Sequence, residues 1–216
     1  MSRKIRLAAA AAVAAIAVST AFGYALLSPA RRWFTTPKNE RVDNRGISSI
    51  NTPDHGVAAA VAAVTKWNSA PGGPTLNILS SNSANVTYKQ GDGISDLIFG
   101  DPHHICKGTC LAATLTGYYT TSGPKTCGSL TVDQITDADT SYNLAYNWRT
   151  VGEPGTCSNE IYLETVTTHE VGHIIGLAHS SNSSAIMYPS VSYCSNKPLA
   201  SDDTNGRNAL YNCTLH

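Results

Sequence analysis

The stretch His169-Glu170-Val171-Gly172-His173-Ile174-Ile175-Gly176-Leu177-Ala178-His179 constrains this chain more than any other feature. His169 and His173 are four residues apart, so on a helix they stand about 40° apart around the axis and ~6 Å along it, with both imidazoles facing one point. His179 breaks that pattern. Continued helically, it would sit ~9 Å beyond His173 and off the shared face, too far for a metal bond near ~2.1 Å. The helix must therefore end after His173 and the chain must turn back. Gly176 stands where a left-handed helix end is needed, a conformation that glycine adopts without a side-chain penalty. From the chain's own frequencies of His, Glu and Gly, the five fixed positions have about one chance in 10⁵ of arising anywhere by accident. Spacing and glycine together point to His169, His173 and His179 as ligands of one zinc ion, with Glu170 beside a ligand as the candidate general base.

Composition sets the broad class. Of 216 residues, 42% are hydrophobic and 14% charged, with 15 Lys+Arg against 15 Asp+Glu. These figures exclude an obligately disordered chain, a strongly basic nucleic-acid binder and a polytopic membrane protein. Part of the apolar fraction belongs to an Ala-rich tract from Leu7 to Ala25, preceded by Arg3, Lys4 and Arg6. Residues 1–25 read as a secretory signal peptide with cleavage between 21 and 25, an uncleaved signal anchor being the alternative. Residues 26–216 are expected to form one domain without stable membrane insertion, secreted as a monomer; a periplasmic or anchored end point stays open. Without Arg3, Lys4 and Arg6 there are 12 basic residues against 15 acidic ones, which implies no particular partner.

Six cysteines, Cys106, Cys110, Cys127, Cys157, Cys194 and Cys213, make an even set in a chain that reads as exported, so disulfides are the default. Sequence neighbours suggest Cys106 with Cys110, Cys127 with Cys157 and Cys194 with Cys213. The alternative is a zinc site built from Cys106, Cys110 and His103 or His104.

A coarse reading places an amphipathic helix over Val57–Trp67, after a start signal at Thr52, Pro53 and Asp54. Strand-like runs follow at Thr75–Leu79, Asn85–Lys89, Asp96–Phe99, Leu111–Tyr119 and Ile135–Tyr142, expected to share one sheet. A second helix is predicted over about Glu160–Ile175, capped by Ser158 or Asn159 and with Glu160 and Glu164 at its positive end, and a third between Asp202 and Tyr211. Helix, strands, helix, helix makes an α+β or mixed α/β domain.

The histidine stretch resembles the signature of the metzincin zinc metallopeptidases, His-Glu-x-x-His-x-x-Gly-x-x-His. Ser184-Ala185-Ile186-Met187-Tyr188-Pro189 resembles the clan's methionine turn, which implies Met187 beneath the three histidines. Ser180 directly after the third histidine, and the Met-Tyr-Pro turn, resemble the matrixin family; Leu199, Ser201-Asp202-Asp203 and Leu210-Tyr211 resemble its C-terminal helix. The resemblance is specific from His169 to Tyr211 and diffuse from Trp33 to Tyr142. It implies a twisted five-stranded mixed sheet, about three helices and zinc in a cleft. It also implies that Pro189, Ser190 and Val191 form one wall of the pocket for the residue after the scissile bond. Val191 stands where the family usually has tyrosine, and Tyr193 is the candidate to compensate. Asp202 or Asp203 would receive a mature N-terminal ammonium, helix capping being the other explanation.

Departures matter equally. No cysteine precedes Cys106, so latency through the family's propeptide thiolate is not expected. The family holds a structural zinc with histidines in the strand that Leu111-Ala112-Ala113-Thr114 resembles; Ala113 stands at one such place, so one zinc is expected rather than two. His103 and His104 beside Asp101 offer a second metal site in another arrangement, or a solvated loop. Asp92 and Asp96 in the Gly91–Asp101 loop offer a Ca²⁺ site, or turn chemistry.

Three neutral imidazoles leave zinc its charge and an open position, so a bound water is activated and a carbonyl polarised, with Glu170 as proton carrier. The expected function is a secreted zinc-dependent endopeptidase acting on proteins or peptides, with no nucleic-acid partner. The rival readings are a non-catalytic, zinc-stabilised adhesion or inhibitor module on the same fold, and a metal hydrolase of non-peptide amides or esters.

Overall fold

A computed structural model describes residues 23–69, 72–79, 86, 91–119 and 123–216, together with the backbone of Lys4–Arg6. In chain order the elements are β1 (Lys4–Arg6), β2 (Ala25–Leu26), β3 (Arg31–Arg32), β4 (Lys38–Val42), α1 (Val57–Asn68), β5 (Leu76–Leu79), β6 (Ser95–Ile98), β7 (Ala112–Tyr119), β8 (Lys125–Cys127), β9 (Leu130–Tyr142), β10 (Trp148–Arg149), β11 (Ile161–Tyr162), α2 (Leu163–Ile174), β12 (Leu177–Ala178), β13 (Ser190–Ser192) and α3 (Ser201–Tyr211). Most of the expected signal peptide and the Asn85–Lys89 run, Val86 apart, lie outside the described residues.

Three helices and a mixed sheet make this an α+β domain. The sheet runs β3-β9-β6-β4-β5, and every pairing along that path is parallel. The long strand β9 also carries β7 and β8, both antiparallel. Five of these strands, β5, β4, β6, β9 and β7, form the body implied by the family resemblance; β3 and β8 add to the other end of β9. The β9 run starts at Leu130, earlier than the expected Ile135, because Leu130–Val132 pairs with β8 across a turn at Gly128, whose φ is 62°.

The start signal before α1 works through Asp54, which accepts the Ala58 N–H at 2.6 Å, while the Thr52 hydroxyl accepts that of Gly56 at 2.9 Å. Val57, Ala60, Ala63, Val64 and Trp67 form the buried face of α1. It packs on α2, where Trp67 Nε1 donates to Thr168 O at 2.8 Å. The expected cap of α2 is corrected: the helix starts at Leu163 behind Tyr162, with no side-chain cap. Ile161 and Tyr162 are held extended by parallel pairing with Trp148 and Arg149, so Ser158 and Asn159 stand too early. Glu160 instead accepts the Ser158 N–H and faces Arg149, while Glu164 occupies the first turn as expected.

All six cysteines are bridged. Cys106–Cys110 pairs as expected, but Cys127 joins Cys213, not Cys157, and Cys194 joins Cys157, not Cys213. Nearness in sequence is overridden by the sheet. The chain beyond α3 returns to β8, where Thr126 and His216 exchange backbone hydrogen bonds of 3.0 and 3.1 Å, and this sets Cys213 against Cys127. Cys194 lies over the approach to α2, its N–H donating to Glu160 O at 2.9 Å.

Beneath the helices, β4, β6 and β9 bring Glu40, Asp96, Asp137 and Asp139 together, all 2% exposed or less. Arg41 neutralises Asp96 at 2.6 Å, but neither carboxylate oxygen of Glu40 has a hydrogen-bond partner among the described residues. Burial pushes the Glu40 carboxyl well above its ordinary range, and burial with the charges of Asp137 and Asp96 pushes Asp139 up to about 8. Asp139 titrates near ~4 in an unfolded chain. Between those values the folded state keeps a proton that the unfolded state has lost, so this contribution to stability is full at acid pH and lost as pH rises toward 8. Asp139→Asn is expected to raise the melting temperature at pH 8 by about 4 °C, with the gain vanishing near pH 4. Thermal melts across that range check it; a gain independent of pH would refute the account.

Candidate metal centre

Helix α2 carries His169, Glu170 and His173 in its last turns, all 1% exposed or less. It ends at Ile174, and Gly176 follows at φ 105°, donating to His173 O at 3.0 Å. The glycine is required for a second reason: a Cβ there would stand 2.1 Å from Arg31 O. Past that turn, β12 pairs antiparallel with β2 and delivers His179 to the other two histidines. The three rings lie with centroids 4.7, 5.0 and 5.2 Å apart, and one nitrogen from each falls within 4.8 Å of the others.

Backbone carbonyls set the tautomers. His169 Nδ1 meets Ile186 O at 2.7 Å and His173 Nδ1 meets Leu177 O at 2.8 Å. A carbonyl only accepts, so each Nδ1 carries the proton and each Nε2 presents a lone pair. Those two Nε2 atoms face each other at 3.1 Å, and His179 Nε2 is buried with no partner among the described residues. Burial holds all three rings neutral, with His173 lowered to about 3 and His179 to about 4. Converging neutral imidazoles with unclaimed lone pairs are the donor set that zinc takes, so the residues present fit the ion.

The turn expected beneath this set is held from α3. Asp203 accepts the N–H groups of Ile186, Met187 and Ala200 at 2.9, 3.0 and 2.7 Å. Met187 is 1% exposed and packs against Gly172, where a Cβ would stand 2.2 Å from its sulfur. Between the two helical histidines the helix thus needs a residue without a side chain. Ser180 Oγ donates to Asp202 at 2.6 Å and lies 3.0 Å from Gly23 O, setting the segment after His179 against α3 and the residues before β2.

Glu170 is completely buried on the same helix. Its Oε2 accepts from Thr114 Oγ1 of β7 at 2.7 Å, while its Oε1 has no partner among the described residues. Burial raises its carboxyl to about 8, against the Thr114 hydrogen bond, which acts in the opposite direction.

Pro189, Ser190 and Val191 follow the methionine turn into β13, with Val191 3% exposed and Tyr193 half-buried against the core. This segment is clamped to the start of α2 by Cys157–Cys194 and by the Thr165 hydroxyl, which donates to Ser195 O at 3.0 Å and accepts from Lys197 N at 3.1 Å.

Other expected site residues stay apart from the centre. His103 and His104 are exposed, and Asp101 accepts the Ile105 and Cys106 N–H groups at 2.9 Å each. Cys106 and Cys110 are bridged, which removes both as thiolate ligands, and Ala113 is packed against that bridge. Asp92 accepts the Ile94 N–H, a turn contact, and both Asp92 and Asp96 are engaged by Arg41. Two residues escaped sequence reasoning. Nothing around Thr114 distinguishes it from any strand threonine; Asp203 does cap α3 through the Ala200 N–H, the second explanation given above, but its hold on the methionine turn has no signal in the sequence.

Comparison with known proteins places this geometry. Residues 116–212 match the matrixin family. Metalloendoproteinase 1 of Glycine max is 52% identical over 50 residues, 23% of this chain and 16% of that protein. Matrix metalloproteinase-20 of Homo sapiens is 43% identical over 77 residues, 34% of this chain and 14% of its own length. Interstitial collagenase of Bos taurus is 45% identical over 49 residues, 23% and 10% of the two chains. The matched stretches thus span a sixth or less of these relatives. Over this region the chain is similar to the matrixin family of metzincins.

Gly176→Ala would place a methyl group against Arg31 O at a positive φ, so β12 must shift and His179 with it. Bound zinc, measured per folded chain after dialysis, is expected to fall at least tenfold, with melting lowered by about 5 °C or more. Full zinc content in this variant would show that the turn is not what returns the third histidine.

Proposed function

We propose that this chain is an exported zinc-dependent endopeptidase, with His169, His173 and His179 holding the ion and Glu170 as general base. The observation that carries the reading is the convergence of three neutral imidazole lone pairs beside a buried carboxylate with one oxygen unclaimed. Zinc held there supplies a Lewis acid that polarises the scissile carbonyl and makes water a better nucleophile. Glu170 takes the water proton at Oε1, the oxygen without a partner, and returns it to the leaving nitrogen. His169 and His173 are kept in the tautomer that turns Nε2 toward the ion by Ile186 O and Leu177 O. Met187 supports the helix beneath the ligands.

Pro189, Ser190 and Val191, fixed by the neighbouring disulfide, form the wall beside which the residue after the scissile bond sits. The substrates are proteins or peptides whose backbone enters extended along the cleft. Export is supported by the basic and apolar leader and by three bridges that need an oxidising compartment. No helix among the described residues is long and apolar enough to cross a membrane.

The test is to map cuts in a mixed peptide library by mass spectrometry, using oxidatively folded protein beside Glu170→Ala and a chelated sample. Cuts are expected to disappear on chelation and to fall about 10²- to 10⁴-fold or more in Glu170→Ala, which keeps its zinc. Undiminished cutting by Glu170→Ala would overturn the assignment. A folded, zinc-loaded protein that cuts nothing would favour a non-catalytic module.

A further inference from the structure

The two oxygens of the Glu170 carboxylate are in different situations, and the difference is built by the edge of the sheet. Thr114 lies on β7, directly opposite Thr140 of β9 in the antiparallel register. Their hydroxyls are 2.8 Å apart, and Thr114 Oγ1 reaches on to Glu170 Oε2 at 2.7 Å. A hydroxyl has one proton to give. In the ionised form in which Glu170 acts as a base its carboxylate only accepts, so the Thr114 proton then points at Glu170 and the contact with Thr140 is made by the Thr140 proton. The direction is therefore set: Thr140 donates to Thr114, and Thr114 to Glu170. Thr114 also lies 3.4 Å from the Glu170 carbonyl, but the carboxylate contact is much the shorter. Thr114 is 5% exposed and Thr140 is fully buried, so little water competes for these bonds. Both side chains are β-branched and stiff about χ1, and both stand on paired strands, which makes the donor a fixed one.

We propose that Thr114 is a positioning residue for the hydrolysis, its hydroxyl, polarised by Thr140, holding Glu170 Oε2 so that Oε1 alone is presented to the reacting water. This rests on the reading of Glu170 as the base. A carboxylate held through one oxygen cannot rotate to offer either oxygen at random. Its exposed lone pair is fixed where the water must stand, and little reorganisation is left for the reaction itself. The donor touches neither metal ligand nor substrate, so its loss should slow turnover without weakening binding of either. The second hydroxyl strengthens the first by polarising it, so its removal should have a smaller effect of the same kind.

Thr114→Val keeps the shape and removes the donor; Thr114→Ser keeps the donor; Thr140→Val removes only the polarising hydroxyl. With a peptide taken from the library map, kcat is expected to fall about 10- to 100-fold in Thr114→Val and about 3- to 10-fold in Thr140→Val. Thr114→Ser should return to within a few-fold of the parent, and KM and zinc per chain should stay unchanged in all three. Equal losses in Thr114→Ser and Thr114→Val would make the role one of packing and overturn the proposal, as would a loss that tracks zinc content or full kcat in Thr114→Val. If Thr114→Val does not fold, Thr140→Val decides by the same split between kcat and KM. Glu170→Ala is assayed alongside. Abolished cutting there with an unimpaired Thr114→Val sinks this proposal alone, whereas cutting retained in Glu170→Ala sinks the base assignment and this proposal with it.

Discussion

Two backbone carbonyls decide what the histidines can do. Left to itself, an imidazole chooses which nitrogen carries its proton, and two Nε2 atoms 3.1 Å apart would settle into a hydrogen bond with each other. Ile186 O and Leu177 O prevent this by claiming the Nδ1 protons. Each carbonyl is placed by a separate piece of architecture. Ile186 belongs to the turn that Asp203 anchors from α3, and Leu177 follows directly on the left-handed turn at Gly176. The C-terminal helix, the methionine turn and the end of α2 therefore serve one electronic outcome, two lone pairs facing inward. Such outer contacts orient ligands in metal sites generally.

The sheet's contribution is the opposite wall. β7 lies antiparallel on β9, on a sheet whose main path is parallel, and sets Thr114 against Glu170. The loop before β7 is stapled by Cys106–Cys110, and Ala113 packs on that bridge, at a place where the matrixin resemblance would put a histidine for a second zinc. Here a covalent link and a small apolar contact hold the approach to the strand. Deeper in the sheet, burial raises the carboxyls of Glu40 and Asp139, a cost in stability borne away from the metal centre.

What was legible in the sequence is what local chemistry decides. The spacing of His169, Glu170, His173, Gly176 and His179 named a helix, its end and a return turn, because each step is fixed by residues a few positions away. α1, α3 and four of the five expected strands were placed within a few residues for the same reason, the fifth lying outside the described residues. The failures involve partners far along the chain. Ser158 and Asn159 were good caps in principle, but pairing of Ile161 with Trp148 delayed the helix until Leu163. Cys127 and Cys213 are brought together by the return of the C-terminus to β8, which no local spacing announces. Thr114 and Asp203 are ordinary residues until β9 and α3 set them against Glu170 and the methionine turn.

The Cys157–Cys194 bridge closes a covalent ring with a sequence separation of 37, and His169, Glu170, His173, His179 and Met187 all lie inside it. Ring closure of that size removes about 4 kcal/mol of entropy from the unfolded chain in the loop-closure picture. The three histidines, Glu170 and the methionine turn are thus confined to one ring even when the domain is unfolded. The three imidazoles are four and six residues apart and stay near one another in any unfolded chain. What the bridge adds is a cheaper return of the methionine turn and the segment after it to α2, so refolding around the site is favoured in an oxidising compartment.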